Sequence, residues 1–153
     1  MNEVKQIKVN AIKDGTVIDH ITAGNAIKVL RILGIPKTSS AVVSVAMNVK
    51  SKMGRKDIVK VEGRELNPSE VDKIALIAPR ATINIIREYE VAKKHRVQLG
   101  TEVVGLVKCS NPTCISNSNE PVKSRFIIIN KDPLRIKCYY CEREPEDLSE
   151  RII

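Results

Sequence analysis

Cys109-Ser-Asn-Pro-Thr-Cys114 and Cys138-Tyr-Tyr-Cys141 hold all four cysteines of this 153-residue chain. Each pair brackets a tight turn, and 23 residues separate the pairs. This is the pattern of a four-thiolate metal site. Zinc takes four ligands in a tetrahedron, and a closed set of four Cys leaves no position for substrate. The expected ion is therefore structural, one zinc per chain bound by Cys109, Cys114, Cys138 and Cys141. Iron is the formal alternative, since four thiolates hold it too. A redox role for Cys138 and Cys141 would leave the other pair unexplained. Residues 103–107, 126–129 and 134–136 read as short strands around the cysteines. They carry too little apolar material for an independent core, which is why a metal is needed there.

Upstream, the pattern changes. Residues 6–20 read as strand, turn and strand, with Asp14-Gly15 as a hairpin signal. A helix follows, with Thr22 as the expected N-cap and Ala23, Ala26, Ile27, Leu30 and Leu33 on one face. Gly34 and Pro36 end it. Residues 41–49 form a strand apolar enough to be central or at a subunit contact, and residues 57–62 alternate as a half-buried strand. Asn67-Pro68-Ser69-Glu70 signals a capping box with Pro in the first turn. Val71, Ile74, Ala75 and Ala78 are the expected buried stripe of that helix, and Pro79 stops it. Residues 81–93 read as one long final strand, and residues 93–100 as a polar linker. The order β-α-β-β-α-β predicts an α+β fold: a ferredoxin-like N-terminal domain over residues 1–100, an antiparallel sheet with both helices on one face. A small all-β zinc-binding domain occupies residues 101–153.

Charge separates the two parts. Residues 1–100 hold 18 Lys and Arg against 10 Asp and Glu, a balance of +8; residues 101–153 hold eight of each. An anionic partner is therefore expected on the first domain. In a ferredoxin-like sheet the first and third strands are adjacent and the fourth pairs with the first. Asp19, Lys60 and Lys94 would then approach one surface, with His20 and Lys93 nearby. Lysines serve phosphates as point charges, although strand-end lysines are most often solvated edge protection. No Gly-rich phosphate loop and no Ser/His/Asp set is present, and His20 and His95 are the only histidines. Catalysis is not expected. The longest apolar runs are too short to cross a bilayer, and the N-terminus lacks a signal-peptide core. The reading is cytoplasmic.

The sequence resembles the regulatory chains of aspartate carbamoyltransferase over nearly its whole length. The residues that carry the likeness are Val9-Asn10-Ala11-Ile12-Lys13-Asp14-Gly15-Thr16-Val17-Ile18-Asp19-His20-Ile21, Met53-Gly54-Arg55-Lys56-Asp57, Ala78-Pro79-Arg80-Ala81-Thr82-Ile83-Asn84 with Tyr89-Glu90-Val91, and the cysteines with Ile115-Ser116-Asn117. The resemblance implies a non-catalytic regulatory subunit of pyrimidine biosynthesis that binds CTP or ATP. It would pair with itself as a dimer and dock its zinc domain on catalytic chains. It implies a nucleotide site of Ala11, Ile12, Val17, Asp19, His20, Lys60, Asn84, Ile86, Tyr89, Val91 and Lys94. It also implies catalytic-chain contacts at Asn111, Thr113, Glu142 and Arg143. Ile85 stands where some members carry a basic residue, and Thr113 where an Asn occurs. The alternative from composition is a zinc-ribbon nucleic-acid-binding protein. The neutral second half and the scarcity of aromatic residues, one Phe, three Tyr and no Trp, argue against it.

Overall fold

The computed structural model describes residues 12–35, 37, 41–52 and 54–153. The strand expected before Asp14 lies outside them, as does Ala11. Five strands, β1 (Gly15–Thr22), β2 (Val43–Ser51), β3 (Gly54–Glu62), β4 (Thr82–Arg87) and β5 (Glu90–Arg96), form one antiparallel sheet in the order β2-β3-β1-β4-β5. Helices α1 (Ala26–Ile32) and α2 (Pro68–Ile77) supply Ala26, Val29, Ile74, Ala75 and Ile77 to a core shared with Ile18, Val59, Val61, Ile83 and Ile85. Period-two alternation puts those strand residues on the helix side and Val17, Asp19, Lys60 and Asn84 on the other. Gly15 starts β1 at φ 146°, where a Cβ would overlap the Val61 carbonyl oxygen. Only glycine fits there.

The α2 capping box forms as the sequence signals. The Asn67 side chain accepts from the Glu70 amide at 2.9 Å, and the Glu70 carboxylate accepts from the Asn67 amide at 3.1 Å. Its buried stretch runs from Ile74 to Ala78 and includes Leu76 and Ile77.

Four expectations require correction. First, α1 begins at Ala26 and not after Thr22. Buried Asp57 accepts from the Gly24 and Ala26 amides at 2.9 and 3.0 Å, so a distant carboxylate caps the helix. The later start turns Val29 inward and leaves Ile27 exposed. Second, of the two readings for residues 41–49 the central one fails: β2 is an edge strand, with Val45 and Met47 exposed. Third, residues 81–93 are not one strand. Glu88 and Tyr89, at φ 51° and 65°, make a two-residue turn between β4 and β5. Successive positive φ angles suit the right-handed twist of a hairpin. Asn-Gly would have announced it; Glu-Tyr does not. The turn is held from a distance, by the Tyr89 amide on the Lys13 carbonyl (2.9 Å) and the Glu88 amide on the Asp14 carboxylate (3.2 Å). Fourth, the segment 93–100 is not a free linker. β5 runs to Arg96, and buried Val97 donates to the Ala81 carbonyl.

Strands β6 (Glu102–Val104), β7 (Arg125–Lys131) and β8 (Leu134–Cys138) form a second antiparallel sheet, followed by the short helix α3 (Leu148–Arg151). Its buried cluster contains Val103, Val107, Phe126 and Ile136 beside Cys109, Cys114 and Cys138, and it borrows Leu76 from α2. Two exposed ion pairs, Arg31–Glu150 and Arg80–Asp132, also join the two sheets' domains.

Candidate functional site

The side of the first sheet away from the helices carries the polar residues. Pairing aligns Ser44, Lys60, Val17, Asn84 and Lys94 in one row across all five strands. Residues opposite one another on paired strands share a face. Asn84 donates to the Val17 carbonyl at 3.4 Å, a long contact. Toward the start of β1, the next row on this face contains Ile86 and Val91, paired to each other, with Ile86 also opposite Gly15. A bulge leaves Ala92 unpaired, which is why Val91 and Lys94, three residues apart, share a face. Exposed Tyr89 stands at the turn beyond, and buried Ile12 precedes β1. This end is apolar.

The opposite end is charged. Asp19 pairs with Thr82, which pairs with Arg96. A second bulge lies at Asp19 and His20, with His20 at φ 58°. Bulges re-aim side chains beside functional sites. Asp19 accepts from the His20 amide at 2.6 Å and pairs with Lys56 at 2.9 Å. His20 Nδ1 lies 3.3 Å from the Thr82 hydroxyl. Beyond them opens a cavity of about 650 Å³ lined by His20, Arg55, Lys56, Arg80 and Arg96, with Asp132 at the junction to the second domain. Of the residues expected at the nucleotide site, only His20 lines this cavity. Lys56, Thr82, Arg80 and Arg96 escaped the sequence reading. Thr82 and Arg96 sit two residues from Asn84 and Lys94, so strand alternation was the available signal. The bulge hid the approach of Lys56 to Asp19.

The four thiols converge as their spacing requires. All Sγ atoms lie within 4.8 Å of one another. Cys109 to Cys141 and Cys114 to Cys138 are each 3.6 Å. Sulfurs held about 2.3 Å from a tetrahedral ion lie about 3.8 Å apart, so the two short sulfur pairs match the edges such a donor set needs. Asn117 secures the first loop by donating to the carbonyls of Cys109 (2.9 Å) and Asn111 (2.7 Å). The second loop turns through Glu142 at φ 61°. Burial pushes the Cys109 thiol up to about 12 and raises Cys138 as well. Burial also works upward on Cys141, but the Arg143 amide, Asn111 and the neighbouring thiols outweigh it and bring Cys141 down to about 7. Asn111, Thr113, Glu142 and Arg143 all ride on these two loops; Thr113, Glu142 and Arg143 are exposed and Asn111 half-buried. Asn111 accepts from both the amide and the hydroxyl of Thr113. Exposed Tyr139 and Tyr140 stack edge to face beside them, with Arg125 4.3 Å above the Tyr139 ring.

A sheet face that grades from apolar to cationic is thus joined to a domain organised around four thiols. This is the class of two-domain chain that pairs a five-stranded sheet backed by helices with a four-cysteine metal-binding module. The family model for the aspartate carbamoyltransferase regulatory chain, allosteric domain, matches residues 7–98, and that for its metal binding domain matches residues 101–149. The chain is similar to the aspartate carbamoyltransferase regulatory chain of Methanothrix thermoacetophila, at 56% identity over 97% of this chain and 95% of the relative. It is also similar to those of Methanothermobacter thermautotrophicus, at 56% over 94% and 92%, and Pyrococcus horikoshii, at 54% over 93% and 94%. The chain belongs to the family of aspartate carbamoyltransferase regulatory chains. It is a regulatory chain with an allosteric domain and a metal-binding domain, and not a catalytic one. Among the described residues, no helix is long and apolar enough to cross a membrane.

Proposed function

We propose that this chain is a cytoplasmic regulator of pyrimidine biosynthesis that binds CTP and ATP on the outer face of its first sheet. It passes the signal through a zinc-folded second domain to catalytic chains of aspartate carbamoyltransferase. The observation that carries the reading is the graded sheet face. Ile12, Ile86, Tyr89 and Val91 at the apolar end would receive the base. Lys60, Asn84 and Lys94 cross the middle; Lys60 there, and Asp19 in the next row toward the charged end, would meet base or ribose groups. Lys94, and His20 at the basic end beyond it, would take the triphosphate. The length and polarity of a nucleotide match this order, and the +8 balance of residues 1–100 supports an anionic ligand.

The division near residue 100 follows the two sheets and their separate buried clusters. Zinc suits the four-thiolate donor set and the closed geometry. The catalytic chain would dock on the loops bearing Asn111, Thr113, Glu142 and Arg143. Regulatory chains would pair through β2, whose exposed Val45 and Met47 lie on a sheet edge; an exposed edge of this kind is a ready pairing surface. CTP would favour a low-activity state of the enzyme and ATP would oppose it, each acting only through its differential affinity for the two states.

Calorimetry on single variants tests the site. Lys60→Ala and Lys94→Ala should each weaken CTP binding by about tenfold, the loss expected for one charge-assisted contact, with unchanged thermal stability. Wild-type affinity in both variants would remove the site from this face.

A further inference from the structure

We propose that Arg80 is an electrostatic switch between the two domains, shared by competition between Asp132 and a phosphate chain in the basic cavity. The proposal rests on the nucleotide reading above and names the contact through which that site would reach the second domain. Arg80 lies in the turn between α2 and β4; Asp132 lies in the turn between β7 and β8. The guanidinium meets the carboxylate through Nε at 2.9 Å and also through Nη2. Both groups line the cavity. Among the described residues, Asp132 is the only carboxylate in that lining and the only lining residue from the second domain; Arg55, Lys56, Arg80, Arg96 and His20 supply the opposite character.

The pair is built to be released. Both side chains are at least half exposed, 56% and 50%. Exposed pairs of this kind contribute little and are screened by salt. A polyphosphate brings several charges, and an Arg fork binds phosphate oxygens as readily as a carboxylate. The cavity borders the proposed site at His20 and Arg96, which line it. Thr82 and Arg96 stand one step of strand alternation, about 7 Å, from Asn84 and Lys94 on the same face. A phosphate chain passing Lys94 toward His20 therefore arrives at Arg80. Once Arg80 turns to phosphate, one of the two ion pairs that join the domains among the described residues is lost, leaving Arg31–Glu150 and the apolar contacts of Leu76, Leu99 and Ile152. Coupling is reciprocal: whatever draws Asp132 away from Arg80 must tighten phosphate binding by the same factor.

Calorimetric titration of the full chain with CTP and with inorganic tripolyphosphate tests this. Asp132→Asn should tighten both ligands about threefold to fivefold, the scale of breaking one exposed pair. Arg80→Ala should weaken both by a similar factor and abolish the gain from Asp132→Asn in the double variant. Glu150→Ala breaks the other interdomain pair, which touches no cavity residue, and should leave both affinities unchanged. The switch is overturned if Asp132→Asn has no effect, if it tightens binding equally with Arg80 absent, or if Glu150→Ala reproduces it. The first result with normal CTP affinity would leave the nucleotide site standing; failure of wild-type protein to bind either ligand would remove both.

Discussion

Cys114→Ala should abolish metal retention and assembly with the catalytic chain while leaving CTP affinity within a few-fold of wild type. The second domain has only four buried apolar residues of its own, Val103, Val107, Phe126 and Ile136; three of its other buried positions are metal-site cysteines. So small a core does not hold a fold unaided. Structural zinc contributes about 10–16 kcal/mol to folding at neutral pH, far more than that core can replace. Cys114, buried like Cys109 in the first loop, faces Cys138 at 3.6 Å, so its loss separates the two loops. Metal content by atomic absorption and sizing chromatography with the catalytic chain check the result; normal assembly would refute the docking role of the metal domain. Acid should do the same reversibly. Burial holds the Cys109 thiol up to about 12 and raises Cys138. An incoming metal must displace those protons. Protons and metal therefore compete, and the stability due to metal is present at neutral and higher pH and is lost as pH falls.

The second large effect is expected at Asp57. Its carboxylate is fully buried, and it accepts from the Gly24 and Ala26 amides and, at 2.8 Å, from the Asn48 amide. One side chain thus fastens the start of α1 and the bulge of edge strand β2, where Asn48 stands at φ 61°. Asp57→Ala strands three donors at once. Hydrogen bonds to a charged group are worth about 1.5–3 kcal/mol each, and unsatisfied buried groups add cost. A loss of about 4 kcal/mol is expected, lowering Tm by about 10 °C or more. Asp57→Asn should fall between, since the amide keeps one acceptor oxygen. Differential scanning calorimetry decides; a drop of only a degree or two would mean that α1 and the bulge are held by other contacts.

Local chemistry was legible in the sequence, and tertiary chemistry was not. The capping box at Asn67 and Glu70, the thiol quartet and the βαββαβ order depend on short-range spacing, and each could be read directly. The start of α1, the Glu88-Tyr89 turn and the end of β5 are decided by groups distant in the chain: Asp57, Lys13 with Asp14, and Ala81. The same division holds for the candidate site. The β-α-β-β-α-β order put Asp19 and Lys60 on adjacent strands, whereas Lys94 reaches the face only through the β4–β5 hairpin that the sequence did not announce. Lys56, Arg80 and Arg96 depend on a bulge, an interdomain pair and a hairpin that no local motif announces.

The most direct test of the proposed mechanism is to mix the chain with its catalytic partner and measure enzyme velocity against aspartate, with and without CTP, on the purified complex. The expected result is a stable complex whose velocity falls with CTP and whose response is lost in Lys94→Ala. A complex that forms but whose velocity is the same with and without CTP would contradict it.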